Sequence, residues 1–133
     1  MHLSQNPSDE EILQFVEVWI DDLARGDYAA AFGRTEHDPY HQWTPELMRS
    51  VVQGYGLPEP HHSGTEFNVT PRASARGGPP QRVVYRDAIR PDSLAEVWYD
   101  LPLNGEWSDL TATFRIEPRG EGSVVVLQEI HVF

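Results

Sequence analysis

Asn104-Gly105 limits what this chain can become more than any other feature. The pair lies between two runs that alternate apolar and polar residues. In that setting Asn-Gly specifies a tight two-residue hairpin, because both residues tolerate positive φ. Before it, Ala95, Val97, Tyr99 and Leu101 alternate with Glu96, Trp98 and Asp100 in a strand predicted from Ser93 to Leu101. After it, Leu110, Ala112, Phe114 and Ile116 alternate with Asp109, Thr111, Thr113 and Arg115 in a strand predicted from Glu106 to Glu117. A period of two puts each apolar set on one face. Arg90-Pro91-Asp92 turns back to a strand predicted from Gln81 to Ile89, and Pro118 to Gly122 turns forward to a valine-rich strand from Ser123 to Phe133. Connections this short make the sheet antiparallel there. The last strand is apolar on both faces, as suits a central strand or one that meets a second subunit. One more short strand is expected from Thr65 to Thr70, ahead of a long loop from Pro71 to Pro80.

Upstream of Tyr55 the period is helical. Ile12, Phe15, Val16, Trp19, Ile20 and Leu23 form one stripe, Ser8 and Glu11 have the spacing of a capping box, and Arg25-Gly26 stops the helix. Asp27 caps a short helix over residues 28–32, which Gly33 ends. Thr35 to Gln42 is polar and irregular. Thr44-Pro45 opens a third helix, with Leu47, Met48, Val51 and Val52 on its apolar face and Gly54 at its end. Helices over about 8–55 followed by a sheet over about 65–133 make one α+β domain across residues 1–133.

Charge narrows the partners. The net charge is −11, and all ten basic residues are arginine. A nucleic-acid binder needs a basic face, and an anionic membrane surface would repel this chain, so neither partner is expected. A basic protein partner would be attracted. Cysteine is absent, which removes disulfides, thiolate metal sites and thiol chemistry. The opening Met1 to Pro7 has neither the basic nor the apolar region of a signal peptide, so a cytoplasmic location is expected.

Phe15-Val16-Glu17-Val18-Trp19, followed by Gly26-Asp27-Tyr28-Ala29-Ala30-Ala31-Phe32, resembles the opening of the nuclear transport factor 2-like superfamily. The order of elements agrees over nearly the whole chain. The stretch from Leu101 to Thr111 and the ending Ile130-His131-Val132 also resemble uncharacterised bacterial domains. The resemblance implies a cystatin-like cone, with the helices packed on a curved, mainly antiparallel sheet. It also implies a cavity between helices and sheet, and frequent dimerisation through the sheet. The superfamily holds enzymes, adaptors and association domains with no shared catalytic motif, so it transfers no site residue.

The residues themselves offer weak candidates. A three-residue loop after Ile89 would pair Arg86 with Glu96 and put Tyr85 and Asp87 on the helix side with Tyr99. Burial there would raise a carboxyl into the range useful for acid–base work. A strand-end Asp87 that merely reaches water is the stronger expectation. Strict counting from the hairpin sets Asp100 opposite Asp109, an unfavourable pair that a bulge would relieve. His37, His41, His61 and His62 lie in loops without metal spacing, Pro39 excludes a helix across the first two, and His131 shares a face with Glu129. No metal and no cofactor is expected.

Trp19, Tyr28, Phe32, Tyr55 and Tyr99 could line a cavity. Trp98, Trp107 and Thr111 could form a dimer face. The leading expectation is a dimeric pocket or interaction domain without recognisable catalytic machinery. One alternative is a cofactor-independent isomerase, dehydratase or hydrolase acting on a small apolar substrate. The other is an acidic, immunity-protein-like binder of a basic protein.

Overall fold

Ser8 starts the first helix, α1, which spans Asp9–Ala24. The computed structural model describes residues 2–87 and 89–133; Met1 and Ala88, the latter inside the run predicted as strand to Ile89, lie outside the described residues. The Ser8 hydroxyl accepts from the Glu11 amide at 3.1 Å. Glu11 does not return that bond. Its carboxylate accepts from the Ser4 amide at 2.8 Å and the Ser4 hydroxyl at 2.7 Å, which ties down the N-terminal segment. Asp27 caps α2 (Tyr28–Arg34) through the Ala30 amide, and Thr44 caps α3 (Pro45–Gln53) through the Leu47 amide, each at 3.0 Å. Gly54 ends α3 because nothing larger fits: a Cβ there would lie 2.1 Å from the Leu57 carbonyl oxygen and 2.2 Å from that of Glu59.

The strands are β1 (Glu36–His37), β2 (Arg82–Tyr85), β3 (Ala95–Leu103), β4 (Glu106–Arg119) and β5 (Gly122–Val132), in spatial order β1-β5-β4-β3-β2. All neighbours are antiparallel except β1 and β5. The architecture is therefore α+β, three helices followed by an open, mostly antiparallel sheet on which they pack. β1 lies in the segment expected to be irregular. Two residues carry no alternation to read, and β5 supplies the pairing.

Asn104 (φ 51°) and Gly105 (φ 84°) form the expected turn, and Leu103 faces Glu106. A bulge then intervenes. Pro102 faces Trp107 but Asp100 faces Thr111, so Asp100 and Asp109 never meet. The Ser108 hydroxyl donates to the Leu101 carbonyl at 2.7 Å inside the bulge, and Thr111 donates to the Asp100 carboxylate at 2.7 Å.

Two expectations are corrected. The segment from Thr65 to Thr70 is not a strand; it touches the sheet through a single bridge, Val69 to Leu103. The Thr70 amide donates to the Pro102 carbonyl, but proline has no N–H to return a bond on that edge, so the ladder cannot extend. The register of β2 also differs by one residue. Tyr85, not Arg86, faces Glu96. Arg86 is drawn to the start of α1, where its guanidinium donates to the Asp9 carboxylate at 2.7 Å and the Pro7 carbonyl at 2.9 Å. Tyr85 therefore points away from the helices, and Asp87 is exposed beyond the strand end.

The apolar faces of β3 and β4 close on the helices as alternation predicts. On β5 strict alternation groups Ile130 with Val124 and Val126, but a bulge at Gln128 puts Ile130 on the inner face with Val125 and Leu127. Val97, Leu101, Leu110, Ala112, Phe114, Ile116 and Leu127 are inaccessible to solvent, as are Ile12, Val16, Trp19 and Ile20 of α1. Burying each large apolar side chain contributes about 1.5–3 kcal/mol.

Candidate functional site

Buried side chains of the helices and the sheet meet between the two layers. Trp19 meets Phe114 edge to face with ring centroids 5.0 Å apart, and both are fully buried. The five aromatics expected to line a cavity go separate ways. Trp19 is core. Tyr28 is buried under the Arg49 guanidinium, 4.6 Å from its ring centroid, and burial pushes its hydroxyl up to about 12. Phe32 stacks on His37 at 4.0 Å, and the Tyr55 hydroxyl donates to Asp109.

Tyr28 also lines a shallow depression with Asp27, Pro45 and Arg49. Tyr99 is at the floor of an open cleft of about 480 Å³ between α1, the loop over residues 71–80 and the sheet. Its hydroxyl donates to Glu17 Oε2 at 2.6 Å. The same oxygen accepts from Arg82 Nη2 at 2.7 Å and lies 3.8 Å from Arg72 Nη1. Arg72 also forms a fork to Asp21 at 2.9 and 3.1 Å. Burial alone would raise Glu17, but the Tyr99 hydroxyl and the two arginines outweigh it and hold the carboxyl below its ordinary value. Burial first and the Glu17 bond second push the Tyr99 hydroxyl up. The charges in the cleft balance, two arginines against two carboxylates, among apolar walls from Pro71, Ala73 and Pro80. Trp107, expected on the dimer face, is half-buried and lines this cleft instead.

The outer face of the sheet has two halves. One carries a chain of alternating charges: Glu36, Arg119, Glu117, Arg115, Asp38 and Arg90. Arg115 to Asp38 is 2.6 Å, Arg119 to Glu117 is 3.1 Å and Arg90 to Asp38 is 3.9 Å. These long side chains cover Val124 and Val126, which are buried although no helix lies over them. Burial raises Asp38, but the Tyr40 amide and Arg115 outweigh it and leave the carboxyl low.

The other half is aromatic. Tyr85 on β2, Trp98 on β3 and Phe133 after β5 run across it, with centroids 6.2 Å apart for the first pair and 4.5 Å for the second. Phe133 is 58% exposed and Tyr85 41%. Beside them is a depression of about 370 Å³ lined by Asp38, Tyr40, Arg90, Glu96, Trp98, Thr113, Gln128, Glu129 and Phe133. Thr111, expected on this face, does point outward. It is 97% covered, because its hydroxyl is turned to Asp100 and its neighbours close over it. His131 packs near Phe133 at 5.2 Å, while Glu129 faces His41 at 3.5 Å.

Sequence reasoning found Tyr99 and Trp98 but not Glu17, Arg72, Arg82 or Asp38. Alternating signs at Arg115, Glu117 and Arg119 on one strand face are a signal that could have found part of the ion-pair chain. Nothing in Pro71-Arg72-Ala73 announces an arginine that folds back onto α1. Among the described residues, no three His, Asp or Glu side chains converge as a metal site, and no helix is long and apolar enough to cross a membrane. No protein-family model matches the chain, and neither a curated protein nor a solved structure matches it.

Proposed function

We propose that this chain is a protein-binding domain of the nuclear transport factor 2-like type, working through the aromatic half of its outer sheet face. One observation carries the reading: Tyr85, Trp98 and Phe133 lie partly exposed on a sheet face that no helix covers. Aromatic side chains with a solvent-facing edge are characteristic anchors of protein interfaces. A cytoplasmic setting belongs to the same reading, and a chain without cysteine is compatible with it.

Two occupants of that face are at issue, a second copy of this chain and a different, basic protein. The test compares the tagged wild type with Trp98→Ala in native cells and by sedimentation velocity. A stoichiometric partner or a dimer present for wild type and lost in the variant supports the reading. Equal retention of every partner by a folded variant, together with monomers for both proteins, refutes it.

The Glu17–Tyr99 pair favours a second reading, a small-molecule site in the helix-side cleft. The Tyr99 hydroxyl, turned from Glu17 to a ligand carbonyl lodged beside Arg72 and Arg82, could polarise that carbonyl by donating a hydrogen bond. Glu17→Gln and Tyr99→Phe test it against a panel of small carbonyl substrates. Turnover that both variants abolish while the fold persists would establish it.

A further inference from the structure

We propose that the outer-face depression seats a cationic side chain of a basic protein segment, a guanidinium stacked on Trp98 and held by Glu96 and Glu129. The proposal rests on the outer face being the working surface, and adds the chemistry of what sits there. Three observations lead to it.

The first is the state of the carboxylates. Glu96 accepts from the Trp98 indole N–H at 2.7 Å, and Glu129 faces His41 at 3.5 Å. Among the described residues, neither lies within 4.0 Å of an arginine. Asp38 differs, since Arg115 and Arg90 already neutralise it. The depression therefore holds two carboxylates without a cationic arginine partner, beside aromatic rings.

The second is the distribution of arginine. Arg25, Arg34, Arg72, Arg82, Arg86 and Arg119 each pair with a carboxylate elsewhere in the fold. With most arginines so engaged, the surplus of −11 lies on the surface and attracts a basic partner from a distance. A second copy docking by a two-fold axis through this face would bring the Glu96 and Glu129 carboxylates of both copies into one interface, which is unfavourable.

The third is shape. A guanidinium is flat and weakly hydrated, stacks on an aromatic face, and presents paired donors to carboxylates. Phe133 lies against Trp98, with centroids 4.5 Å apart and planes tilted by 40°, and both rings keep part of their surface open to solvent beside Glu96. Arg90 stands at the rim, 58% exposed and 3.9 Å from Asp38, and does not fill the seat. Its charge opposes an incoming cation.

The experiment titrates the intact protein with a tri-arginine peptide, with tri-lysine and tri-glutamate peptides as controls. The Trp98 indole N–H resonance is followed by NMR and affinity by calorimetry at fixed ionic strength. Expected results are a shift of that resonance by tri-arginine, a weaker shift by tri-lysine and none by tri-glutamate. The Glu96→Gln/Glu129→Gln variant should bind about tenfold more weakly, about 1.4 kcal/mol, and Arg90→Ser about threefold more tightly, about 0.6 kcal/mol. Binding that the double variant leaves unchanged, or shifts that map away from Trp98, overturns the proposal. A wild-type dimer that Trp98→Ala dissociates, with no arginine binding, also overturns it while leaving the outer-face reading standing. No peptide binding, no dimer and no partner lost on Trp98→Ala would remove both.

Discussion

Replacing Tyr99 by phenylalanine removes one hydroxyl from the centre of the helix-side cleft and leaves the buried ring in place. The lost bond is the 2.6 Å donation to Glu17. Hydrogen bonds to charged groups contribute about 1.5–3 kcal/mol when buried. Here Glu17 keeps Arg82 at 2.7 Å and remains within reach of water at 16% side-chain exposure, so the lower end applies. The expected loss is about 1–2 kcal/mol, a fall in Tm of about 3–6 °C for a chain of this size.

Urea unfolding followed by tryptophan fluorescence measures it, at neutral pH and again in acid. The sign of the pH effect follows from Glu17. Its folded carboxyl lies below its ordinary value of 4.5, so its stabilisation is complete above that value. That stabilisation is lost as pH falls through the lower folded value. The gap between wild type and Tyr99→Phe should therefore close in acid, where the carboxylate is protonated. A gap below about 0.3 kcal/mol at neutral pH, or one that persists unchanged in acid, would refute the assignment of this bond as charge-assisted.

Three further outcomes follow from other sites. Gly54→Ala drives a Cβ into two backbone carbonyls and should cost about 2–3 kcal/mol by chemical denaturation, with hydrogen exchange accelerated across the loop over residues 57–66; a change within experimental error would show that the loop yields freely. Asp22 is fully buried and accepts from both Arg25 and Arg34, so Asp22→Ala should cost about 3 kcal/mol, with Asp22→Asn recovering part of it. Burial lowers His37 despite the carbonyl of Phe32 and the charge of Glu36, so neutral His37 stabilises the fold above its ordinary value of 6.5, and this is lost as pH falls below it. His37→Gln should flatten the stability slope in the range just below pH 6.5, and an unchanged slope would assign it to other groups.

Local chemistry in the chain determined the elements. Ser8, Asp27 and Thr44 each cap a helix because a side-chain oxygen two or three positions from free amides needs no distant partner. Asn104-Gly105 turned the chain because its backbone geometry is set within two residues. Alternation assigned the inner faces of β3 and β4 because the period of a strand is a local property. The register of β2 was different. Whether Tyr85 or Arg86 faced Glu96 depended on Arg86 finding Asp9, a residue 77 positions away. That one step moved Asp87 out of the candidate site. The bulge opposite Leu101 likewise separated two aspartates that counting had joined. Glu17, Tyr99, Arg72 and Arg82 come from α1, β3, a loop and β2, and only packing brings them to one oxygen. The same holds for Asp38 and Arg115, and for Trp98 and Phe133. Short-range hydrogen bonding and periodicity are written in neighbouring residues, whereas charge pairs and aromatic contacts between remote segments exist only once the core has closed and set the distances between them.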